Sequence, residues 1–80
     1  MIITIGEYTD TEGTRHRVSV EPHPPGHGWR IVDSSPRHIR SLVEELANDP
    51  HMSSVSQQHE AEGIAHDYLR EHSASRTAIR

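Results

Sequence analysis

The first part of the chain alternates apolar and polar residues with the two-residue period of β-strands. Residues 2–8, 14–21 and 29–33 follow this pattern and are rich in isoleucine, valine or threonine, which favour extended backbone. Residues 10–13 end in a glycine that is free to take positive φ, and residues 22–28 hold three prolines and two glycines. Both segments are expected to connect strands, so the pattern predicts a three-stranded antiparallel meander.

The same alternation assigns side chains to the two faces of the predicted sheet. Ile3 and Ile5 are expected to share one face of the first strand, and Tyr8 to lie on the other. In residues 14–21, His16 and two valines alternate with arginine and serine, which predicts a half-buried second strand.

Two later segments carry apolar residues at helical spacing. Residues 35–47 begin with Ser35 as a helix cap and Pro36 in the first turn, where a missing N–H group does no harm. Residues 58–72 form a second predicted helix, and residues 51–58 fit a loop better than a short fourth strand. The apolar stripes comprise Ile39, Leu42, Val43, Leu46 and Ala47 in the first helix and Ala61, Ile64, Ala65, Tyr68 and Leu69 in the second.

Together these elements predict an α+β domain of order βββαα, with both helices packed on one face of a three-stranded antiparallel sheet. The domain is expected to span residues 1–74, and the small, polar residues 75–80 are expected to form a frayed tail. One sheet face and an edge strand would stay open, and such edges pair with other chains. A homodimer is therefore one expected assembly, since so short a chain buries a small core.

The composition argues against several classes of protein. The 80 residues include no cysteine and no apolar stretch of membrane-spanning length. The N-terminal segment lacks the features of a signal peptide, so a cytoplasmic location is expected. The motifs of α/β-hydrolases, P-loop enzymes and dinucleotide-binding domains are absent. We therefore predict a protein that is not an enzyme, has no catalytic residues and needs no cofactor.

The chain holds eight histidines, so histidine is the residue type to consider first as a metal ligand. His59 and His66 lie opposite the apolar stripe of the second predicted helix, roughly 10 Å apart along its axis. That separation is too large for one metal ion, so both side chains are expected to face solvent. His23 and His27 in the 22–28 connector are weak candidate metal ligands, and a stiff connector without metal is the alternative.

Arginine supplies all eight basic residues, while the net charge is −4 with histidine neutral. Depending on strand register, the open sheet face carries either Arg15, Arg17 and Arg30 or His16. Two further arginines begin the first predicted helix, where backbone N–H groups favour anions. The predicted partner- or anion-binding surface comprises Arg15, Arg17, Trp29, Arg30, Arg37 and Arg40.

Two segments, HRVSVEPHPPGHGWRIVD and SVSQQHEAEGIAHDYLREH, resemble parts of small HicB-type antitoxins. In that family a strand pair carrying a tryptophan precedes a short third strand and a helix similar to EAEGIAHDYL. The resemblance implies a protein that binds and masks a toxin. The chain departs from the family pattern at residues 36–47, where the family has a short connector, and no functional residue is carried across.

The leading expectation is a small cytoplasmic protein-interaction module, antitoxin-like or inhibitor-like, that acts by binding a partner protein. A nucleic-acid-binding accessory protein that uses the arginine surface is the first alternative, although the negative net charge disfavours it. A histidine-rich protein that responds to metal or pH is the second.

Overall fold

The described part of the chain folds into four β-strands followed by one α-helix. The computed structural model describes residues 2–22 and 28–78, with side chains described as far as residue 73. The elements are β1 (Ile3–Thr9), β2 (Arg15–Pro22), β3 (Trp29–Ser34), β4 (Ser41–Leu46) and α1 (Ser54–Ala78). The strands form one antiparallel sheet in the order β1-β2-β3-β4, so the predicted βββαα order, with three strands and two helices, is wrong.

The segment predicted as the first helix forms a turn and then β4. The predicted cap exists locally, because Ser35 Oγ accepts the His38 N–H group at 3.1 Å and the Ser35 N–H group donates to the His38 carbonyl at 3.0 Å. The helix does not continue, and Ile39 and Leu42 of the predicted stripe are 73% and 56% exposed. Pairing of β4 with β3 instead satisfies the backbone groups of what would be an open edge.

α1 begins earlier than the periodicity predicts, so the loop expected over residues 51–58 is wrong from Ser54 onward. Ser53 is the cap residue, since its Oγ accepts the Ser56 N–H group at 3.1 Å. The backbone of α1 continues to Ala78, and residues 79–80 of the predicted tail lie outside the described residues. Within those described, no helix is both long and apolar enough to cross a membrane.

Replacing Ser53 with alanine is expected to lower the free energy of unfolding by about 1 kcal/mol, because the capping hydrogen bond to the helix start is lost. Urea denaturation followed by circular dichroism measures the change. Ser54→Ala is the matched control, as this exposed neighbour is already the first helical residue. Equal losses in the two variants would show that Ser53 is not the cap.

The hydrophobic core lies between one face of the sheet and α1. Val18, Val20 and Ile31 on the sheet and Ala61 and Ala65 on the helix have no exposed surface. The two alanines allow α1 to approach the sheet closely, and each buried branched side chain contributes about 1.5–3 kcal/mol relative to exposure. The prediction that the apolar stripe of residues 58–72 points into the core is confirmed.

An irregularity in β1 changes which of its side chains face the core. The β1–β2 register shifts between Thr4 and Gly6, as in a β-bulge. Ile5 and Tyr8 consequently both pack against the core, so the prediction that they lie on opposite faces is wrong. Gly6 makes room for the helix, because a Cβ atom at this position would lie 2.5 Å from Leu69 Cδ2.

Candidate functional site

A groove of about 530 Å³ lies on the helix-free face, which is the sheet face opposite α1. β1 contributes Thr4 and Glu7 to it, and β2 contributes Arg15, Arg17 and Ser19. Ser34 at the end of β3 also lines the groove, and Ile2 lies just before β1. The loop after β3 supplies the facing wall with Ser35, Pro36, Ile39 and Arg40. Three neighbouring strands and one loop therefore build the groove.

Strand alternation explains why arginines, and not His16, occupy the helix-free face. Arg17 pairs with Glu7 across β1 and β2, and directly opposed residues lie on the same face of a sheet. His16 pairs with Tyr8, which belongs to the core on the α1 side. Of the two arrangements left open by the sequence, the structure therefore has the arginines on the open face.

The loop wall of the groove is held by polar contacts at both ends. The Ser35–His38 turn closes its first half. Arg37 Nη1 donates to Glu12 Oε1 at 2.7 Å, a contact between two exposed side chains. Arg40 forms an ion pair with Glu21 of β2. These contacts present Ile39 to solvent with 73% of its surface exposed.

Charge on the helix-free face is unbalanced in favour of arginine. Glu7 is shared by Arg15 at 3.6 Å and Arg17 at 3.3 Å. Glu21 is shared in the same way by Arg30, at 3.6 Å, and by Arg40 of the loop wall. Glu45 lies opposite Arg30 in the β3–β4 pairing and so belongs to the same face. Four arginines against three glutamates leave a surplus of one positive charge here. Because the whole chain carries −4, the rest of it carries −5 with histidine neutral.

The predicted arginine surface is brought together in part. Arg15, Arg17 and Arg40 line the groove, and Arg30 lies on the same sheet face beside Glu21. Arg37 lies in the loop wall but pairs outward with an exposed glutamate. Trp29 is elsewhere, since it is half-buried and packs against the core on the α1 side. The candidate metal ligands His23 and His27 lie outside the described residues.

The sequence did not single out the other groove residues. Glu7 and Glu21 are direct partners of arginines only through cross-strand pairing, which the sequence alone does not give. Because Ile39 belongs to the apolar stripe of a predicted helix, its position at the groove rim is not expected from the sequence. The signal available in the sequence was the Arg15, Arg17, Ser19 alternation, which marks one strand face as polar.

A second polar cluster lies beneath α1 and centres on Asp33, which is 5% exposed. The hydroxyl groups of Tyr8 and Tyr68 donate to Asp33 Oδ2 at 2.6 and 2.5 Å. His16 Nδ1 donates to Asp33 Oδ1 at 2.7 Å. One carboxylate thus joins β1, β2, β3 and α1 through charge-assisted hydrogen bonds.

His16 is held between two carboxylates. Its Nε2 atom donates to Asp10 Oδ2 at 2.8 Å, while Nδ1 faces Asp33. Burial lowers the pKa of His16, but the hydrogen bonds to Asp10 and Asp33 outweigh it and the pKa is raised. With a carboxylate oxygen at each nitrogen, the geometry favours the imidazolium form, in which both nitrogens donate.

The neighbouring groups are held in complementary protonation states. The pKa of Asp10 is lowered, chiefly by its hydrogen bond from His16. Burial raises the pKa of Asp33, but the hydrogen bonds from Tyr68, Tyr8 and His16 outweigh it and the pKa is lowered. Burial and the hydrogen bond to Asp33 raise the pKa of Tyr8 and that of Tyr68. The carboxylates are therefore ionised at neutral pH, and the tyrosine hydroxyls are protonated donors.

Ring stacking encloses this cluster. The rings of Tyr8 and His16 stack at 4.6 Å with an interplanar angle of 11°. The His72 ring covers Tyr68 at 4.1 Å, and its Nδ1 donates to the Tyr68 carbonyl at 2.9 Å. The raised pKa keeps both tyrosine hydroxyls protonated, and Asp33 is buried beneath α1. The arrangement therefore suits attachment of α1 to the sheet better than chemistry.

The remaining histidines of α1 lie where the helix periodicity predicts. His59 and His66 are exposed on the side opposite Ala61 and Ala65, so this prediction is confirmed. Over residues 2–22 and 28–78, the histidine and carboxylate side chains form no group of three or more that would hold a metal ion.

Comparison with known proteins leaves the groove as the main guide to function. The resemblance of the two quoted segments to HicB-type antitoxins stays a prediction from the sequence. No protein-family model, no curated protein and no solved structure matches this chain.

Proposed function

We propose that this chain is a small cytoplasmic protein-interaction module that binds a partner protein through the helix-free face of the sheet. The observation that carries the proposal is the groove, whose rim exposes Ile2 and Ile39 to 60% and 73%. Exposed branched apolar side chains grouped around a concave surface are typical of binding sites. An antitoxin-like or inhibitor-like accessory protein would act through such a face.

Two features support a binding role over catalysis. Tyr8, His16, Asp33 and Tyr68, whose pKa values are shifted, are each committed to a neighbour by a hydrogen bond. The groove contains arginine, glutamate, serine and threonine but lies on the opposite face from that cluster. The protein therefore acts by holding a partner, with no reaction of its own.

A nucleic-acid partner is supported less well by the same surface. The groove arginines share two glutamates, so the small positive surplus that remains suits a few carboxylates better than the run of phosphates on a nucleic acid. The chain as a whole carries −4. A protein partner tolerates this mixture of paired charges and apolar groups, because interfaces combine an apolar centre with a polar rim.

The test compares Ile39→Ser with Val55→Ser. Val55 is 60% exposed at the start of α1, so the two substitutions remove similar exposed side chains from different surfaces. Tagged protein is isolated from the cells that naturally make it, and bound proteins are quantified by mass spectrometry. We expect Ile39→Ser to reduce recovery of the partner at least about tenfold, since burial of one such side chain contributes about 1.5–3 kcal/mol.

Val55→Ser is expected to recover the partner as the unaltered protein does, and thermal melting should show both variants folded. Equal recovery by the two variants, or loss with Val55→Ser alone, would contradict binding at the helix-free face. Recovery that disappears after nuclease treatment would favour the nucleic-acid alternative.

A further inference from the structure

We propose, building on the proposed function, that the groove takes an extended acidic segment of the partner, with aspartate or glutamate alternating with branched apolar side chains. The segment lies along the groove with its carboxylates on the arginines of β2 and its apolar groups against Ile2 and Ile39. Charge complementarity, the floor of the groove and its width carry this assignment.

The charges of the groove select an acidic ligand. Arg15 and Arg17 share the single carboxylate of Glu7, and their side chains are 78% and 60% exposed. A guanidinium group has five donors and binds carboxylates in a bidentate manner, so one shared glutamate leaves donors directed to solvent. Carboxylates of a ligand would complete these pairs without displacing Glu7.

The floor of the groove suits a main chain lying close to the sheet. Thr4, Ser19 and Ser34 are short hydroxyl side chains contributed by three adjacent strands. They leave space above the sheet and offer both donors and acceptors to a peptide backbone. Arg15 and Arg17 extend from β2, the central of these three strands, so they would lie beside the main chain of the ligand.

The width of the groove favours an extended segment over a helix. Its floor spans β1, β2 and β3, which is about 10 Å from the first strand to the third. A helix with its side chains is about 10–12 Å across, which is wider than this floor. An extended chain is narrower, and its side chains alternate in direction, so acidic and apolar groups can reach different sides of the groove.

The same charges argue against a second copy of this chain in the groove. Two helix-free faces brought together would each present a surplus of one positive charge beside the exposed Arg15 and Arg17, so they would repel one another. The acidic segment is therefore assigned to a different protein.

The test uses a fluorescent peptide of seven residues in which glutamate alternates with isoleucine and valine. Its control is the counterpart with lysine in place of glutamate. Fluorescence polarisation with the full chain is expected to show saturable binding of the acidic peptide only. The double variant Arg15→Gln, Arg17→Gln should weaken binding at least about tenfold, whereas Arg70→Gln on α1, a residue of similar exposure, should leave it unchanged.

Amide chemical shifts locate the bound peptide, and they should change at Thr4, Arg17 and Ser19 and stay constant along α1. Absence of saturable binding, equal binding of the lysine peptide or tighter binding of a thymidine oligonucleotide would overturn the assignment. Each of these results leaves the proposed function separately testable, because the Ile39→Ser and Val55→Ser comparison does not depend on the ligand's charge.

Discussion

Replacing Asp33 with asparagine is expected to lower the free energy of unfolding by about 3–5 kcal/mol, because it removes the buried carboxylate that pairs with His16. The same carboxylate accepts the hydroxyl groups of Tyr8 and Tyr68. Asparagine has one acceptor oxygen and no charge, so it leaves the imidazolium without its buried counter-ion. Since small domains are stable by about 5–15 kcal/mol, this substitution would remove a large part of the free energy of unfolding.

Urea denaturation at pH 6 measures this loss. Asp67→Asn is the matched control, because the Asp67 side chain is 63% exposed and pairs with Arg70 on the surface of α1. The control should change stability by less than about 0.5 kcal/mol. Tyr68→Phe, which removes one of the two hydroxyl donors, should cost about 1 kcal/mol. A loss below about 1 kcal/mol for Asp33→Asn would mean that the cluster does not hold α1 to the sheet.

The second large effect is the dependence of stability on pH. The folded-state pKa of His16 is raised above 6.5, so its stabilisation is complete below pH 6.5 and is lost as the pH rises through the folded-state value. The pKa values of Asp10 and Asp33 are lowered below 3.8, so their stabilisation is present above that pH and is lost as the pH falls through the folded-state values. Stability is therefore expected to be greatest between these limits and to decline toward pH 9.

His16→Gln should remove the alkaline part of this profile. At pH 6 it is expected to lower the free energy of unfolding by roughly 1.5–3 kcal/mol, the usual contribution of a hydrogen bond to a charged group. The difference from the unaltered protein should then shrink as the pH rises from 6.5 to 9. Urea midpoints at each pH unit measure it, with the exposed His66→Gln as control. Parallel profiles for the His16→Gln variant and the unaltered protein would contradict a charged His16.

The strands of the first half are predictable from sequence because local alternation and the core agree. The predicted and observed bounds of β1, β2 and β3 differ by no more than one residue. The turn at residues 10–13 is also confirmed, with Gly13 at φ 89°. Here turn chemistry, β-branched residues and burial all favour one structure.

β4 was not predictable because its sequence satisfies two patterns. In SLVEEL the apolar residues fit a helical stripe that continues back to Ile39, and Ser35–Pro36 is a strong helix start. The deciding factor is tertiary, since β3 offers an unpaired edge that β4 completes. Only Val43 and Leu46 of the segment then pack against the core.

The Asp33 cluster depends on two features that are invisible in the sequence. The irregularity between Thr4 and Gly6 turns Tyr8 toward α1, and no pattern in the sequence predicts this irregularity. The position of Tyr68 over Asp33 depends on how α1 crosses the sheet. His16 was recognisable as sharing a face with two valines, yet its two carboxylate partners come from a turn and from another strand.

The candidate site was predictable in its basic residues and not in its shape. Arg15 and Arg17 follow from alternation within one strand, and their exposure on the open face depends only on which side α1 covers. One wall of the groove is the loop before β4, and the sequence predicts a helix in that segment. Trp29 was grouped with the arginines because it is adjacent to Arg30, although neighbouring residues of a strand point to opposite faces.

Site-specific photo-cross-linking in living cells shows whether a partner protein contacts the helix-free face. A photoreactive residue placed at position 39 reports on the groove rim, and one at position 66 reports on the exposed side of α1. We expect a discrete protein adduct from position 39 and none from position 66. An adduct formed from position 66 alone would place the partner on α1 and rule out binding at the helix-free face.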